Sequence, residues 1–254
     1  MNTLAIRKLR QKLAAGQAVY GLWVTLESAS VTEMAVALGL DWVVIDAEHG
    51  QLDWKEIVEH LRAAVRSETV ALVRIAALDR GLIKRALDIG ADGIVVPWME
   101  TEDQLREAVA FARYPPEGCR GIGGERSTGW GDCLAEHTAE ANDHVLVVPI
   151  IESVRAVAAV PRMCRVDGVE VFFFGPADFF GRAVFFPAFL AGAVFNTAFW
   201  VAVLAEAVFL PAPVLLTVVL AADLRAPTFF FVADAAAGAA AVGAAVAPLS
   251  TPRN

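Results

Sequence analysis

Residues 42–50 of the chain read WVVIDAEHG, four apolar residues followed at once by acidic side chains and a histidine. A short apolar run of this kind is typical of a strand buried on both faces of a parallel sheet. The segment that follows, Trp54–Arg66, places its apolar residues at helical spacing. We therefore interpret this stretch as a buried strand, a polar connection and an amphipathic helix.

The same strand–helix alternation continues on both sides of this stretch, and an amphipathic helix precedes it at the N-terminus. The predicted strands are Val19–Leu26, Trp42–Asp46, Val70–Ile75, Gly93–Pro97, Val145–Ile151, Val169–Phe174, Val214–Leu220 and Phe229–Val232. Strands that alternate with crossover helices indicate a parallel sheet. Eight such units in a chain of 254 residues favour a closed barrel. We predict an α/β fold, a (β/α)8 TIM barrel that forms a single domain over residues 1–254 with an N-terminal helix.

The overall charge and the cysteines exclude several classes of protein. The net charge is −8 and the sequence pI is about 5.0, which argues against nucleic acid as a partner because phosphate binding needs clustered Lys and Arg. Cys119, Cys133 and Cys164 have no metal-binding spacing, and we expect free thiols in a reducing cytoplasm. The N-terminus lacks the apolar run of a signal peptide.

The composition changes after Asp178, and the stretch Ala183–Ala222 carries a single charged residue, Glu206. Hydropathy alone would predict one or two membrane spans here, and a membrane-associated protein is the alternative of a different class. Prolines interrupt the run and no basic clusters flank it, so no membrane partner is expected. The stretch also lacks a solvated helix face. We hypothesise that the side-chain identities over residues 179–254 differ from those of the natural protein.

Polar side chains follow several of the predicted strands, at the end where a (β/α)8 barrel carries its active site. They are Trp23 near the first strand, Asp46, Glu48 and His49 after the second, Arg74 at the third, Glu152 after the fifth and Asp178 after the sixth.

Each of these residues has a chemical and a structural interpretation. Glu152 and Asp178 follow neighbouring strands and could share one divalent metal ion, which prefers oxygen ligands, but each could also cap the helix that follows it. His49 could act as an acid/base oriented by Asp46. Arg74 could bind a carboxylate or an oxyanion, or it could form a structural ion pair.

Several ordered motifs resemble a known family. They are GLW at Gly21, IDAEHG at Ile45, the arginine of LVRI, ALDIGADGIVVP at Ala86, ARYPPEGCRGIGG at Ala112, the glutamate of IIES and FFFGPAD at Phe172. From about Gly21 to Asp178 the chain resembles the HpcH/HpaI aldolases, which are class II pyruvate aldolases. Ile150 stands where some members carry Gln, so the substrate contacts there are expected to differ.

The resemblance implies roles for individual residues. Glu152 and Asp178 are expected to bind Mg²⁺ or Mn²⁺, with Co²⁺ as a further candidate. His49, paired with Asp46, is expected to be the acid/base that works through water, and Arg74 to stabilise the pyruvate enolate. The expected substrate-binding residues are Trp23, Gly175, Pro176, Ala177 and Asp88, with Glu48 supporting metal-bound water. Asp88 is expected to reach the site of a neighbouring subunit, which implies a homo-oligomer, a trimer or a hexamer.

The activity implied by the resemblance is reversible cleavage of a 4-hydroxy-2-oxo acid to pyruvate and an aldehyde by a metal-dependent class II aldolase. The alternative on the same site is an oxaloacetate decarboxylase or a related enolate-condensing enzyme. A Schiff-base mechanism is disfavoured, because none of the lysines falls at the C-terminal end of a predicted strand.

Overall fold

The computed structural model describes residues 1–175 and the backbone of two later strands at 216–220 and 228–231. The strands are β1 Tyr20–Val24, β2 Trp42–Asp46, β3 Val70–Arg74, β4 Gly93–Val96, β5 Leu146–Ile151, β6 Val171–Phe174, β7 Leu216–Leu220 and β8 Thr228–Phe231. The helices are α1 Thr3–Ala14, α2 Ser30–Ala37, α3 Trp54–Ala64, α4 Arg80–Asp88, α5 Glu102–Ala112, α6 Leu134–His144 and α7 Val154–Met163, with a short 3-10 helix at Arg126–Gly131.

The first six strands lie side by side in chain order, and all their pairings are parallel. This curved sheet confirms the prediction of an α/β fold, of the first six strands and of the helices that follow the first five of them.

The last two described strands depart from the regular order of a (β/α)8 barrel. β8 pairs in parallel with β6, and β7 lies between β8 and β1, antiparallel to both. The physical reason is the connection, since residues 221–227 are too few for the crossover that a parallel neighbour requires. The full (β/α)8 order and the single domain over residues 1–254 remain predictions.

Two apolar layers hold the sheet in place. One lies between the sheet and its helices, and it contains Ile45, Val73, Ile94 and Ile151. The other fills the inside of the curved sheet, where Val44, Leu72, Val95 and Val148 point inward from consecutive strands. Residues at alternate positions along a strand therefore face opposite layers, as the pleat requires.

The N-terminal helix closes one end of the inner layer. Ala5, Ile6 and Leu9 of α1 are buried against the inner residues of the strands. The side-chain amide of Asn2 donates to the carbonyl of Ser67 at 2.7 Å, just before β3 begins. This end is the N-terminal end of the strands, opposite the end at which a (β/α)8 barrel carries its active site.

None of the helices within residues 1–175 is both long and apolar enough to cross a membrane. The apolar stretch that prompted the membrane alternative, Ala183–Ala222, lies outside the described residues except for part of β7.

Candidate active site

The candidate site lies on the rim, by which we mean the residues that follow the C-terminal ends of β1–β6. Asp46 ends β2 and Arg74 ends β3, and the two residues are direct partners in the strand register. Both side chains therefore point to the inside of the sheet at the same level. Parallel pairing of two predicted strands brings together two residues that are far apart in the sequence.

Arg74 and Asp46 form a buried bidentate ion pair. The guanidinium donates from Nε to Oδ1 at 3.0 Å and from Nη2 to Oδ2 at 2.8 Å. The indole N–H of Trp23 donates to the same Oδ2 at 2.9 Å. The guanidinium also stacks over the Trp23 ring, with its carbon 5.0 Å from the ring centroid. A planar guanidinium that makes two hydrogen bonds to one carboxylate and stacks on a ring has little freedom to move.

A second carboxylate lies beside the same guanidinium. Glu48 Oε2 is 3.1 Å from Nη1 of Arg74. Two acids thus flank one arginine, so Arg74 is ion-paired in this structure, and its predicted binding of a carboxylate or an oxyanion stays a prediction.

The charge state of Asp46 follows from these contacts. Burial alone would raise the pKa of this carboxyl, but the hydrogen bonds from Arg74 and Trp23 outweigh it and hold the pKa below its usual value. Asp46 is therefore ionised at neutral pH and keeps Arg74 in one orientation.

His49 is arranged differently from the predicted imidazole–carboxylate pair. Oδ1 of Asp46 accepts from the backbone N–H of His49 at 3.1 Å and from that of Glu48 at 2.9 Å. The imidazole is 73% exposed, and its Nε2 lies 4.0 Å from Oε1 of Glu48. The carboxylate orients the turn that carries His49 and does not hold its ring, because its acceptor sites are occupied by Arg74, Trp23 and backbone N–H groups. The acid/base role of His49 stays a prediction.

Glu152 follows β5 on the other side of the rim. Its Oε1 accepts from the backbone N–H of Trp98, which follows β4, at 2.6 Å. The side chain that caps α7 is that of Ser153, which accepts from the N–H of Ala156 at 3.0 Å. Ser153, and not Glu152, is therefore the residue that caps α7.

Gly175 keeps open the space beside Glu152. A Cβ at this glycine would lie 3.2 Å from Cβ and 3.6 Å from Oε2 of Glu152. The glycine therefore lets the backbone after β6 pass close to the Glu152 carboxylate, whose oxygens are ligands of the kind that divalent cations prefer.

The second predicted metal ligand, Asp178, lies outside the described residues, as do Pro176 and Ala177. Among the residues that are described, no cluster of three or more His, Cys, Asp or Glu side chains could hold a metal ion. The metal site is therefore a proposal that begins from Glu152.

Asp88 does not reach the rim of its own chain. It ends α4, and its carboxylate accepts from Nη2 of the fully buried Arg120 at 2.8 Å. A helix that follows a strand runs back toward the N-terminal end of the sheet, so Asp88 at the end of α4 lies away from Arg74 at the C-terminal end of β3. Its predicted contribution to a neighbouring subunit stays a prediction.

Sequence reasoning missed Trp98. The indole is 55% exposed, and the backbone has a positive φ of 54°. The signal that could have found it is its position, directly after the C-terminal end of the fourth predicted strand.

Comparison with known proteins supports this picture. A family model described as HpcH/HpaI aldolase/citrate lyase matches residues 19–182. The 4-hydroxy-2-oxovalerate aldolase of Novosphingobium aromaticivorans is 37% identical over 174 residues, which cover 68% of this chain and 66% of that protein. The hydroxypyruvate/pyruvate aldolase of Sagittula stellata is 37% identical over 172 residues, with coverages of 67% and 68%.

Solved structures agree with these matches. The crystal structure of an HpcH/HpaI aldolase from Desulfitobacterium hafniense superposes with a TM-score of 0.64 at 29% identity, covering 78% of this chain and 86% of that one.

The chain spans about two thirds of the length of the curated relatives that it matches. The match includes every motif from Gly21 to Asp178, and the chain belongs to the HpcH/HpaI aldolase/citrate lyase family.

Proposed function

We propose that this protein is a metal-dependent class II aldolase that reversibly cleaves a 4-hydroxy-2-oxo acid to pyruvate and an aldehyde. The observation that carries the proposal is the Arg74 guanidinium, which is held by Asp46 and Trp23 on the same rim as Glu152. The names of the relatives support the same substrate class, since they are aldolases of 4-hydroxy-2-oxovalerate and of hydroxypyruvate or pyruvate.

Arg74 supplies the stabilisation of negative charge. Asp46 accepts one N–H from Nε and one from Nη2, Glu48 Oε2 lies 3.1 Å from Nη1, and a guanidinium has five N–H bonds in all. The remaining N–H groups on Nη1 and Nη2 can donate to the keto oxygen, where charge develops as the C3–C4 bond breaks. Donors that are already oriented need no reorganisation during the reaction, which is the main source of such stabilisation.

His49 is the proposed acid/base. Its exposed ring lies in the turn that Asp46 fixes through backbone N–H groups. In cleavage, the imidazole takes the proton of the 4-hydroxyl, directly or through one water, and it returns the proton in the aldol addition.

Glu152 and Asp178 would hold the divalent cation, for which Mg²⁺, Mn²⁺ and Co²⁺ are the candidates. When bound, such a cation acts as a Lewis acid that draws charge from the keto oxygen. The backbone N–H groups of Ala177 and Asp178 would bind the substrate carboxylate, and Gly175 and Pro176, which has no N–H, would form the turn that precedes them. A homo-oligomer, a trimer or a hexamer, would bring Asp88 to a neighbouring site.

The test is pyruvate release from a panel of 4-hydroxy-2-oxo acids. Each reaction is run after EDTA treatment and again with Mg²⁺, Mn²⁺ or Co²⁺ restored. The variant is Glu152→Ala, and the matched control is Glu170→Ala, whose carboxylate pairs with Arg10 on the outer surface. We expect metal-dependent release in the wild type and in the control, and its loss in Glu152→Ala.

Pyruvate release that survives EDTA would contradict the metal dependence. Turnover of oxaloacetate without any aldehyde chemistry would favour the decarboxylase on the same site. A folded protein that is inactive on every substrate with every metal would contradict the proposed function altogether.

A further inference from the structure

The connection between β4 and α5 presents one exposed aromatic side chain at the rim. Pro97 and Met99 are buried, whereas Trp98 between them is 55% exposed. An exposed indole gains little from burial, so the packing of the chain does not account for its presence. Its position points to a role in function, because β4 lies between the strand that ends in Arg74 and the strand that precedes Glu152.

The backbone on both sides of this indole is held in place. The N–H of Trp98 donates to Glu152 at 2.6 Å, and Oε1 of Glu100 accepts from the hydroxyl of Ser153 at 2.7 Å. Thr101 then begins α5 with a capping box. The indole is therefore carried by a fixed segment and does not move with a loose loop.

The conformation of Trp98 is costly for a bulky residue. Its φ is 54°, in the left-handed region that glycine and asparagine prefer. Backbone conformations of this kind persist where the surroundings impose them, and they concentrate at ligand sites. At Trp98, this conformation directs the backbone N–H to Glu152, the candidate metal ligand. The ring itself is exposed on the rim.

We propose that the indole of Trp98 is one wall of the binding site for the carbonyl acceptor and that it selects neutral aldehydes with an aromatic or apolar chain. The inference rests on the proposed function and adds the acceptor class to it. An indole face binds apolar groups by contact area and dispersion. An acceptor that carries its own carboxylate would lose hydration against this apolar face, so the indole disfavours it.

The experiment compares aldol addition of pyruvate to benzaldehyde, to acetaldehyde and to glyoxylate. A second readout is the exchange of the pyruvate methyl protons for deuterium, which needs the enolate but no acceptor. The variants are Trp98→Gly, which accepts the positive φ and keeps the N–H, and Trp98→Phe, which keeps a ring. The matched control is Trp130→Gly, at an exposed tryptophan with a φ of 56° in the 3-10 helix.

We expect Trp98→Gly to lower the ratio of kcat/KM for benzaldehyde to that for acetaldehyde by about tenfold, the size of one aromatic contact. Trp98→Phe should recover most of this ratio, and Trp130→Gly should leave it unchanged. Of the three acceptors, glyoxylate should give the lowest kcat/KM with the wild type. An unchanged ratio in Trp98→Gly would overturn the inference. So would an equal fall in both additions and in the exchange, because the side chain would then act only through Glu152. A wild type without exchange or addition would overturn the proposed function and the inference with it.

Discussion

At the scale of single residues, the orientation of Arg74 is the feature on which catalysis should depend most. Arg74→Lys keeps the charge but loses the bidentate contact with Asp46 and the stacking on Trp23. We expect kcat for pyruvate release to fall by about a hundredfold, as when an oriented charge-stabilising donor is removed. The measurement is steady-state kinetics with a 4-hydroxy-2-oxo acid that the wild type cleaves.

The control for this variant is Arg85→Lys. Arg85 also stacks on a tryptophan, with its guanidinium carbon 4.5 Å from the centroid of Trp54, but it belongs to α4 on the outside of the sheet. We expect kcat to stay within twofold of wild type. An equal loss in both variants would show that Arg74 matters for stability and not for charge development.

The sequence predicts the contact between Asp46 and Arg74 better than it predicts the position of the His49 ring. Asp46 and Arg74 end consecutive buried strands, so the strand register alone brings them together. The imidazole of His49 lies in a turn, where one backbone rotation changes its partner, and no pattern in the sequence fixes that rotation. Trp98 was missed for the same reason, because a positive φ cannot be read from residues of ordinary strand composition.

At the scale of elements, β1 depends on a glycine. A Cβ at Gly21 would lie 2.0 Å from the ring of Trp42 on the neighbouring strand. We expect Gly21→Ala to lower the free energy of unfolding by about 1–3 kcal/mol, because the buried indole has to leave its place. Urea denaturation measures this change.

Two further variants test that explanation. Gly21→Ala combined with Trp42→Leu should recover part of the loss, since the smaller side chain yields space. Gly121→Ala is the control, because a Cβ there would meet only Lys84 Cδ at 3.5 Å. If the double variant loses as much free energy of unfolding as Gly21→Ala alone, the clash with Trp42 is not the cause.

The packing of α2 on α3 contains a buried histidine that should make stability depend on pH. His60 is fully buried, with Nδ1 2.8 Å from the Thr32 hydroxyl and Nε2 3.1 Å from the Leu26 carbonyl. Burial lowers the pKa of His60 below its ordinary 6.5, although the carbonyl contacts oppose this. The unfolded chain therefore binds a proton that the folded chain does not.

The sign follows from this difference. The stability that His60 contributes is complete above pH 6.5 and is lost as the pH falls toward the folded-state pKa. The loss is at most about 1.4 kcal/mol for each pH unit in that interval. We expect the Tm of the wild type to fall between pH 7 and pH 5, and the fall to be smaller in His60→Gln. The same slope in both proteins would assign the pH dependence to other groups.

At the scale of the whole molecule, alternation of strands and helices predicted six consecutive parallel units, and these are the units that the structure has. The strands have four to six residues, and each of the first five is followed by a helix that packs apolar residues against the sheet. The order of β7 and β8 departs from that repeat, so the full (β/α)8 order stays a prediction. The predicted seventh and eighth strands are separated only by residues 221–228, a connection too short for a parallel crossover, so its length indicated an antiparallel pair.

The last third of the chain leads to a prediction about its covalent composition. A helix on the outside of a barrel needs a polar face, and the single charge between Ala183 and Ala222 does not provide one. The family match ends at residue 182, close to the point where the composition changes. Both observations agree with the hypothesis that the natural protein has other side chains after Asp178. We expect its intact mass, measured on protein purified from its natural source, to differ from 27.1 kDa.

Peptide mapping of the same sample locates the difference. Tryptic peptides should match the chain up to Arg165, and the long apolar peptides expected beyond Arg182 should be missing. A mass equal to that of the chain, with those peptides present, would contradict the hypothesis. The apolar stretch would then be real, and partition of the protein into the membrane fraction would become the expected consequence of burying that much apolar surface.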